Sequence, residues 1–135
     1  VEAIIAYSFD DKNLLHRALT AAAAYENDRE GNRGIAQLGE QLIKTAIIDN
    51  SLTLGETRGN FQSTYVRLTQ AAKKEHLAEV AKRWGLDNYI KFCPRQSGPS
   101  PAALSSAVRA IVGALWLDSR KDISAVAKVI EKLGL

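Results

Sequence analysis

The stretch from Asn32 to Asp49 constrains the fold more than any other part of this 135-residue chain. Apolar residues recur in it at helical spacing, with Ile35, Leu42 and Ala46 on one stripe. Further isoleucines widen the apolar surface, so a helix here would be buried on more than one side. Gly39 costs about 1 kcal/mol relative to alanine inside a helix, and close approach by a second helix would account for it. The stretch therefore predicts a central helix over about residues 35–52.

The rest of the chain predicts an all-α fold, because no segment alternates convincingly between apolar and polar residues with period two. A leucine-rich helix is predicted near the N-terminus, and Ser8, Asp10 or Asp11 could cap its first turn. Pro101 is suited to the first position of a helix capped by Ser100. Glycines suited to ending helices stand at two further positions. The other predicted helices are Phe61 to Ala72, Glu75 to Trp84 before Gly85, and Ile123 to Leu133 before Gly134.

The amino-acid composition limits the class of protein but does not identify a function. A hydrophobic fraction of 46% is enough for one ordinary core, and the net charge of +3 permits a nucleic-acid partner without requiring one. The lone Cys93 excludes an internal disulfide framework and favours an intracellular setting. No apolar run reaches the roughly 20 residues that cross a bilayer. We expect an intracellular protein with no membrane partner, and the mitochondrion, nucleus and cytoplasm all stay open.

The Asn32 stretch resembles the signature helix of the ribonuclease III family, roughly Asn-Glu-Arg-Leu-Glu-Phe-Leu-Gly-Asp-Ala-Val-Leu. The resemblance is carried by Asn32, Ile35, Leu38-Gly39-Glu40 and Leu42. The run from Ala110 to Asp118 is similar to the family's second helix, Glu-Ala-x-x-Gly-Ala-x-x-x-Asp, and the opening from Tyr7 to Thr20 also looks like the family. The resemblance implies one ribonuclease III-like domain over residues 1–135. It would have about six to seven helices around the signature helix, with no double-stranded-RNA-binding domain in this chain.

In this family two pairs of carboxylates hold magnesium ions, which activate water and relieve charge on the leaving oxygen. Carried over residue by residue, the first pair falls on Ala36 and Glu40, and the second on Ser106 and Arg109. A further family acid falls on Arg33. Three of the four expected acids are missing, so the resemblance implies a chain that is not an enzyme. It would have no catalytic residue, no bound metal and no cofactor.

The competing interpretation is an active, metal-dependent endoribonuclease for double-stranded RNA that uses other acids. Asp49, Glu75 and Asp118 are candidates by charge, but none forms a second carboxylate pair with Glu40 at the matching spacing. The simpler interpretation of Glu40 is an ion pair with Arg109 or Lys44.

RNA binding and dimerisation are the two properties that the resemblance leaves in place. We predict a non-catalytic module that binds structured or double-stranded RNA in RNA processing or ribonucleoprotein assembly. The alternative is a structural protein of the mitochondrial ribosomal large subunit. A family phenylalanine that plugs the partner falls on Gln37, so a homodimer and a heterodimer with a related chain both stay open. The predicted RNA-binding residues are Arg33, Arg58, Asn60, Arg67, Lys73, Lys74 and Arg109, and the predicted dimer interface is Ile35, Gln37, Leu38, Gly39 and Leu42.

Overall fold

The computed structural model describes residues 1–27, 29–53, 66, 68–71 and 73–135. Its helices over these residues are α1 (Glu2–Ile5), α2 (Lys12–Ala18), α3 (Arg33–Thr53), α4 (Lys74–Arg83), a 3₁₀ turn (Leu86–Asn88), α5 (Pro101–Asp118) and α6 (Ile123–Leu133). Within this part of the chain, β pairing is confined to an isolated bridge between Thr20 and Lys91. The prediction of an all-α fold is confirmed.

The predicted central helix is present as α3, but α5 lies deeper in the core. This helix packs against α2, α3, α4 and α6. Its apolar residues Leu104, Val108, Ile111 and Leu115 are almost completely buried. Small residues between them let neighbouring helices approach from several directions. The core is therefore built around α5, and α3 lies against one side of it.

Capping residues explain where several helices begin. The Asp11 carboxylate accepts a hydrogen bond from the Asn13 amide at the start of α2. The Ser100 hydroxyl accepts one from the Ala103 amide at 3.1 Å, ahead of Pro101 in α5. These contacts satisfy amides that have no partner inside the helix.

Left-handed glycines follow two helices at the positions expected from the sequence. Gly134 ends α6 with φ of 77°, and Gly85 has φ of 70° just after α4. Glycine adopts this conformation without the steric cost of a Cβ.

The short helix α1 was not predicted from the sequence. It has only four residues and depends on contacts made later in the chain. The Glu2 carboxylate accepts hydrogen bonds from the Phe9 amide at 2.6 Å and from the Lys12 ammonium. Because both partners lie outside the helix, the sequence of its four residues alone does not predict it.

Among the described residues, none of the helices is both long enough and apolar enough to span a bilayer.

Candidate functional site

Two glycines set the crossing of α3 and α5. A Cβ added to Gly39 would lie 1.6 Å from the Arg109 carbonyl oxygen, and a Cβ on Gly113 would lie 2.4 Å from the Ile35 carbonyl oxygen. Any side chain at either position would therefore collide with the backbone of the facing helix. The close approach predicted for Gly39 is confirmed, and the second helix in it is α5.

This crossing brings together the four positions at which the family resemblance implies metal-binding carboxylates. Ala36, Glu40, Ser106 and Arg109 line one pocket of about 200 Å³ between α3 and α5. Arg33 and Gln37 complete the lining. The two residue pairs come from different helices and meet because Gly39, next to Glu40, packs directly against the backbone of Arg109.

The polar character of the pocket comes from arginines more than from carboxylates. Among the described residues that line it, Glu40 is the one acid, and the Lys44 ammonium lies 3.6 Å from the Glu40 carboxylate. Of the two partners predicted for Glu40, the structure shows Lys44 in this contact. Arg33 is exposed and Arg109 is half-buried. The described lining therefore carries two arginines and one carboxylate, and that carboxylate is paired with Lys44.

These lining residues do not fit a magnesium ion. Magnesium takes hard oxygen ligands in near-octahedral geometry and is bound through carboxylates. The pocket offers a single carboxylate, and Arg33 and Arg109 would repel a cation. Over the residues that the structure describes, no group of three or more His, Cys, Asp or Glu side chains is arranged to hold a metal.

The other predicted RNA-binding residues do not join this pocket. Lys73 and Lys74 are exposed at the start of α4 and do not line it. Arg58, Asn60 and Arg67 lie outside the described residues.

The predicted dimer interface divides between the surface and the interior of α3. Gln37 is exposed, and Ile35 and Leu38 are half-buried. Gly39 and Leu42 are buried within the chain, and the contact that Gly39 permits is to α5 of the same chain. The structure therefore assigns Gly39 and Leu42 to the interior of one chain.

The exposed stripe of α3, which includes Gln37, becomes apolar toward its C-terminal end. Ile48 is 40% exposed and Leu52 is 59% exposed. Positions 37, 41, 45, 48 and 52 recur at the three- and four-residue spacing that places side chains on one helical face. The predicted dimer interface lies in the first half of this helix, whereas Ile48 and Leu52 are exposed in its second half.

Asp118 has a structural role at the other end of α5. Its carboxylate accepts hydrogen bonds from the Tyr7 hydroxyl at 2.7 Å, the Asp11 amide at 2.8 Å and the Asp10 amide at 3.0 Å. Burial raises the pKa of Asp118, but these hydrogen bonds outweigh it and leave the pKa below its ordinary value. Burial, followed by the hydrogen bond to Asp118, raises the pKa of Tyr7. Asp118 thus joins the N-terminal segment to α5, and its candidacy as a metal ligand has no support here.

We expect Asp118→Asn to lower the free energy of unfolding by about 1–2 kcal/mol at pH 7, because hydrogen bonds to a charged acceptor are lost. A folded-state pKa below the unfolded one stabilises the protein above about pH 4. That contribution disappears as the pH falls through the folded-state pKa. Urea unfolding at pH 7 and pH 3 should therefore show the difference between wild type and variant shrinking in acid. Tyr7→Phe removes one of the three bonds and should give a smaller loss. A difference that stays constant between the two pH values would contradict this role.

A solved structure resembles the whole described fold. The nuclease domain of ribonuclease III from Campylobacter jejuni superposes with a TM-score of 0.80, covering 98% of this chain and 92% of that one. The sequence identity is 20%, so this likeness concerns the fold.

Relatives similar in sequence carry the name Ribonuclease 3. The protein from Vibrio atlanticus is 31% identical over 136 residues, and the one from Oleidesulfovibrio alaskensis is 32% identical over 123 residues. These matches cover 96% and 85% of this chain. The chain spans 57% and 53% of the lengths of these two relatives, a little over half.

These comparisons contradict the prediction that the chain is not an enzyme. The relatives that are 31% and 32% identical to this chain are named Ribonuclease 3. The prediction depended on four positions, which describe the ligands of one pocket and not the class of the whole domain. The relatives named here also give no support to a ribosomal or mitochondrial role.

The family assignment covers nearly the full chain. The family model described as Ribonuclease-III-like matches residues 11–133, which include α2 through α6 and therefore both walls of the pocket. This chain belongs to the ribonuclease III-like family.

Proposed function

We propose that this chain binds structured or double-stranded RNA through the pocket between α3 and α5. The observation that carries the proposal is the meeting of Arg33 and Arg109 in one pocket of a ribonuclease III-like fold. Duplex RNA is held mainly through its phosphates and 2′-hydroxyls, by shape more than by base identity. Arginine suits this task because its planar fork of N–H donors matches phosphate oxygens.

We further propose that two copies of the chain associate through the exposed stripe of α3. The Campylobacter jejuni nuclease domain has a region involved in dimer formation. In this chain the stripe exposes Ile48 and Leu52 beside the polar Thr45. Apolar side chains with this exposure gain free energy when a partner removes them from water, at about 25 cal/mol per Å² of apolar surface buried.

The test is a gel-shift titration with a duplex RNA longer than two helical turns, with and without magnesium. We expect the chain to shift the RNA in the gel. The affinity should fall steeply as the salt concentration increases, because phosphate contacts release counterions. A DNA duplex of the same sequence should bind more weakly, since it lacks the 2′-hydroxyls and the A-form shape. The stoichiometry at saturation measures whether two chains bind together, and product bands in the magnesium lanes measure cleavage separately. Failure to retain duplex RNA at about 50 mM salt would contradict the proposal.

A further inference from the structure

We infer that the pocket between α3 and α5 binds a phosphate group directly through Arg33 and Arg109, with no metal ion between protein and phosphate. The inference deepens the proposed function and rests on it for the statement that the phosphate belongs to RNA. It begins from the mismatch described above: magnesium does not fit the residues that line this pocket.

The donor set is the one that an oxyanion requires. Arg33 is the first residue of α3 and Arg109 lies in the middle of α5, so the two arginines line the pocket from different helices. Ser106 adds a hydroxyl and Gln37 adds an amide, and both can donate to phosphate oxygens. Among the described lining residues, Ala36 is the one with a short apolar side chain, and the pocket volume of about 200 Å³ exceeds that of a phosphate group.

The charges around the pocket favour an anion. The Glu40 carboxylate opposes phosphate binding, but the Lys44 ammonium at 3.6 Å offsets part of its charge. The pocket lies against the first two turns of α3, where the helix dipole adds a partial positive charge. Two arginines against one carboxylate give the described lining a positive formal charge.

The surroundings favour a phosphate within a polymer over a free ion. A second cleft of about 310 Å³ shares Arg33 and Ser106 with the pocket. It continues past Ala103 and Ser100 at the start of α5. The pocket and the cleft therefore adjoin at Arg33 and Ser106, so a polymer that places one phosphate in the pocket has a neighbouring depression beside it.

The first arm of the test measures duplex RNA binding in EDTA. We expect Arg33→Ala and Arg109→Lys each to weaken binding about tenfold at low salt, and Arg33→Ala to reduce the salt slope by about 1. The lysine variant keeps the charge and the aliphatic stem while losing the fork. Arg17→Ala, an exposed arginine on α2 outside the pocket, is the matched control and should change binding by less than about twofold. Glu40→Gln should strengthen binding, because it removes the opposing charge.

The second arm titrates inorganic phosphate into the wild-type chain and follows the backbone amide resonances of residues lining the pocket. Shifts that Arg33→Ala abolishes support the site for free phosphate as well as RNA. RNA binding that depends on both arginines, with no shift from inorganic phosphate, supports the RNA backbone as the source.

Two results separate the inference from the proposed function. If RNA binds and the pocket variants behave like Arg17→Ala, the inference is overturned while the proposed function stands. If RNA does not bind at all, the proposed function fails, and phosphate-induced shifts at the pocket then decide the inference. Circular dichroism of each variant establishes that a loss of binding is not a loss of fold.

Discussion

Replacing Gly39 by alanine is expected to destabilise the chain by several kcal/mol, about 3 or more, and to leave it partly unfolded at 37 °C. The added Cβ would lie 1.6 Å from the Arg109 carbonyl oxygen, far inside van der Waals contact. Relief requires α3 and α5 to move apart, because the colliding atom belongs to the backbone. Separation would loosen the apolar contacts between the helices and open the pocket beside them.

Gly34 provides the matched control on the same helix. A Cβ there would meet no atom within 4 Å, so Gly34→Ala should stabilise the helix by up to about 1 kcal/mol. Urea unfolding followed by circular dichroism measures both variants against wild type. Similar free energies of unfolding for the two alanine variants would contradict the proposed helix crossing.

Restoring carboxylates to the pocket is expected to exchange its ligand. The variant Ala36→Glu, Ser106→Asp and Arg109→Glu would join Glu40 to give four acids in one pocket, at the positions that the family resemblance identifies. It changes the formal charge by four units, from +3 to −1 for the whole chain. We expect the affinity for duplex RNA in EDTA to fall by about 100-fold or more, because the variant loses an arginine that binds phosphate and gains carboxylates that repel it. We expect calorimetry to detect binding of manganese or magnesium by this variant and none by the parent chain.

The control for this variant carries neutral side chains of similar size, Ala36→Gln, Ser106→Asn and Arg109→Gln. It should lose RNA affinity without gaining a divalent cation, since amides are weak ligands compared with carboxylates. Undiminished RNA binding by the carboxylate variant in EDTA would show that the pocket does not face the RNA.

Local patterns in the sequence correctly predicted where several helices begin and end. Ser100 and Pro101 at the start of α5, and Gly134 at the end of α6, act through short-range hydrogen bonds and backbone geometry. Such signals can be recognised within a few residues. Gly39 also gave a correct prediction, because a glycine inside an apolar helix implies a close neighbour.

Features that depend on distant partners were missed. The carboxylate of Asp118 holds Tyr7 across 111 positions of the chain, and the residues around Asp118 alone do not identify that partner. The deep burial of α5 was likewise not apparent, because its mixture of small and large apolar residues does not reveal how many helices surround it.

One pocket is lined by Ala36, Glu40, Ser106 and Arg109. The family resemblance implies that these four positions of the backbone come together. The conclusion drawn from their side chains, that the chain is not an enzyme, was wrong in light of its relatives. Donor chemistry at four positions shows what that pocket can hold. It does not determine the class of a domain whose frame matches over residues 11–133.

The most direct measurement is the dissociation constant of the wild-type chain for duplex RNA in EDTA and again in magnesium at matched ionic strength. If Arg33 and Arg109 hold the backbone themselves, binding should be present in EDTA and no tighter in magnesium, because no ion bridges protein and phosphate and Mg²⁺ competes with the arginines for phosphate. Binding that is absent in EDTA and appears only when magnesium is added would contradict the direct grip.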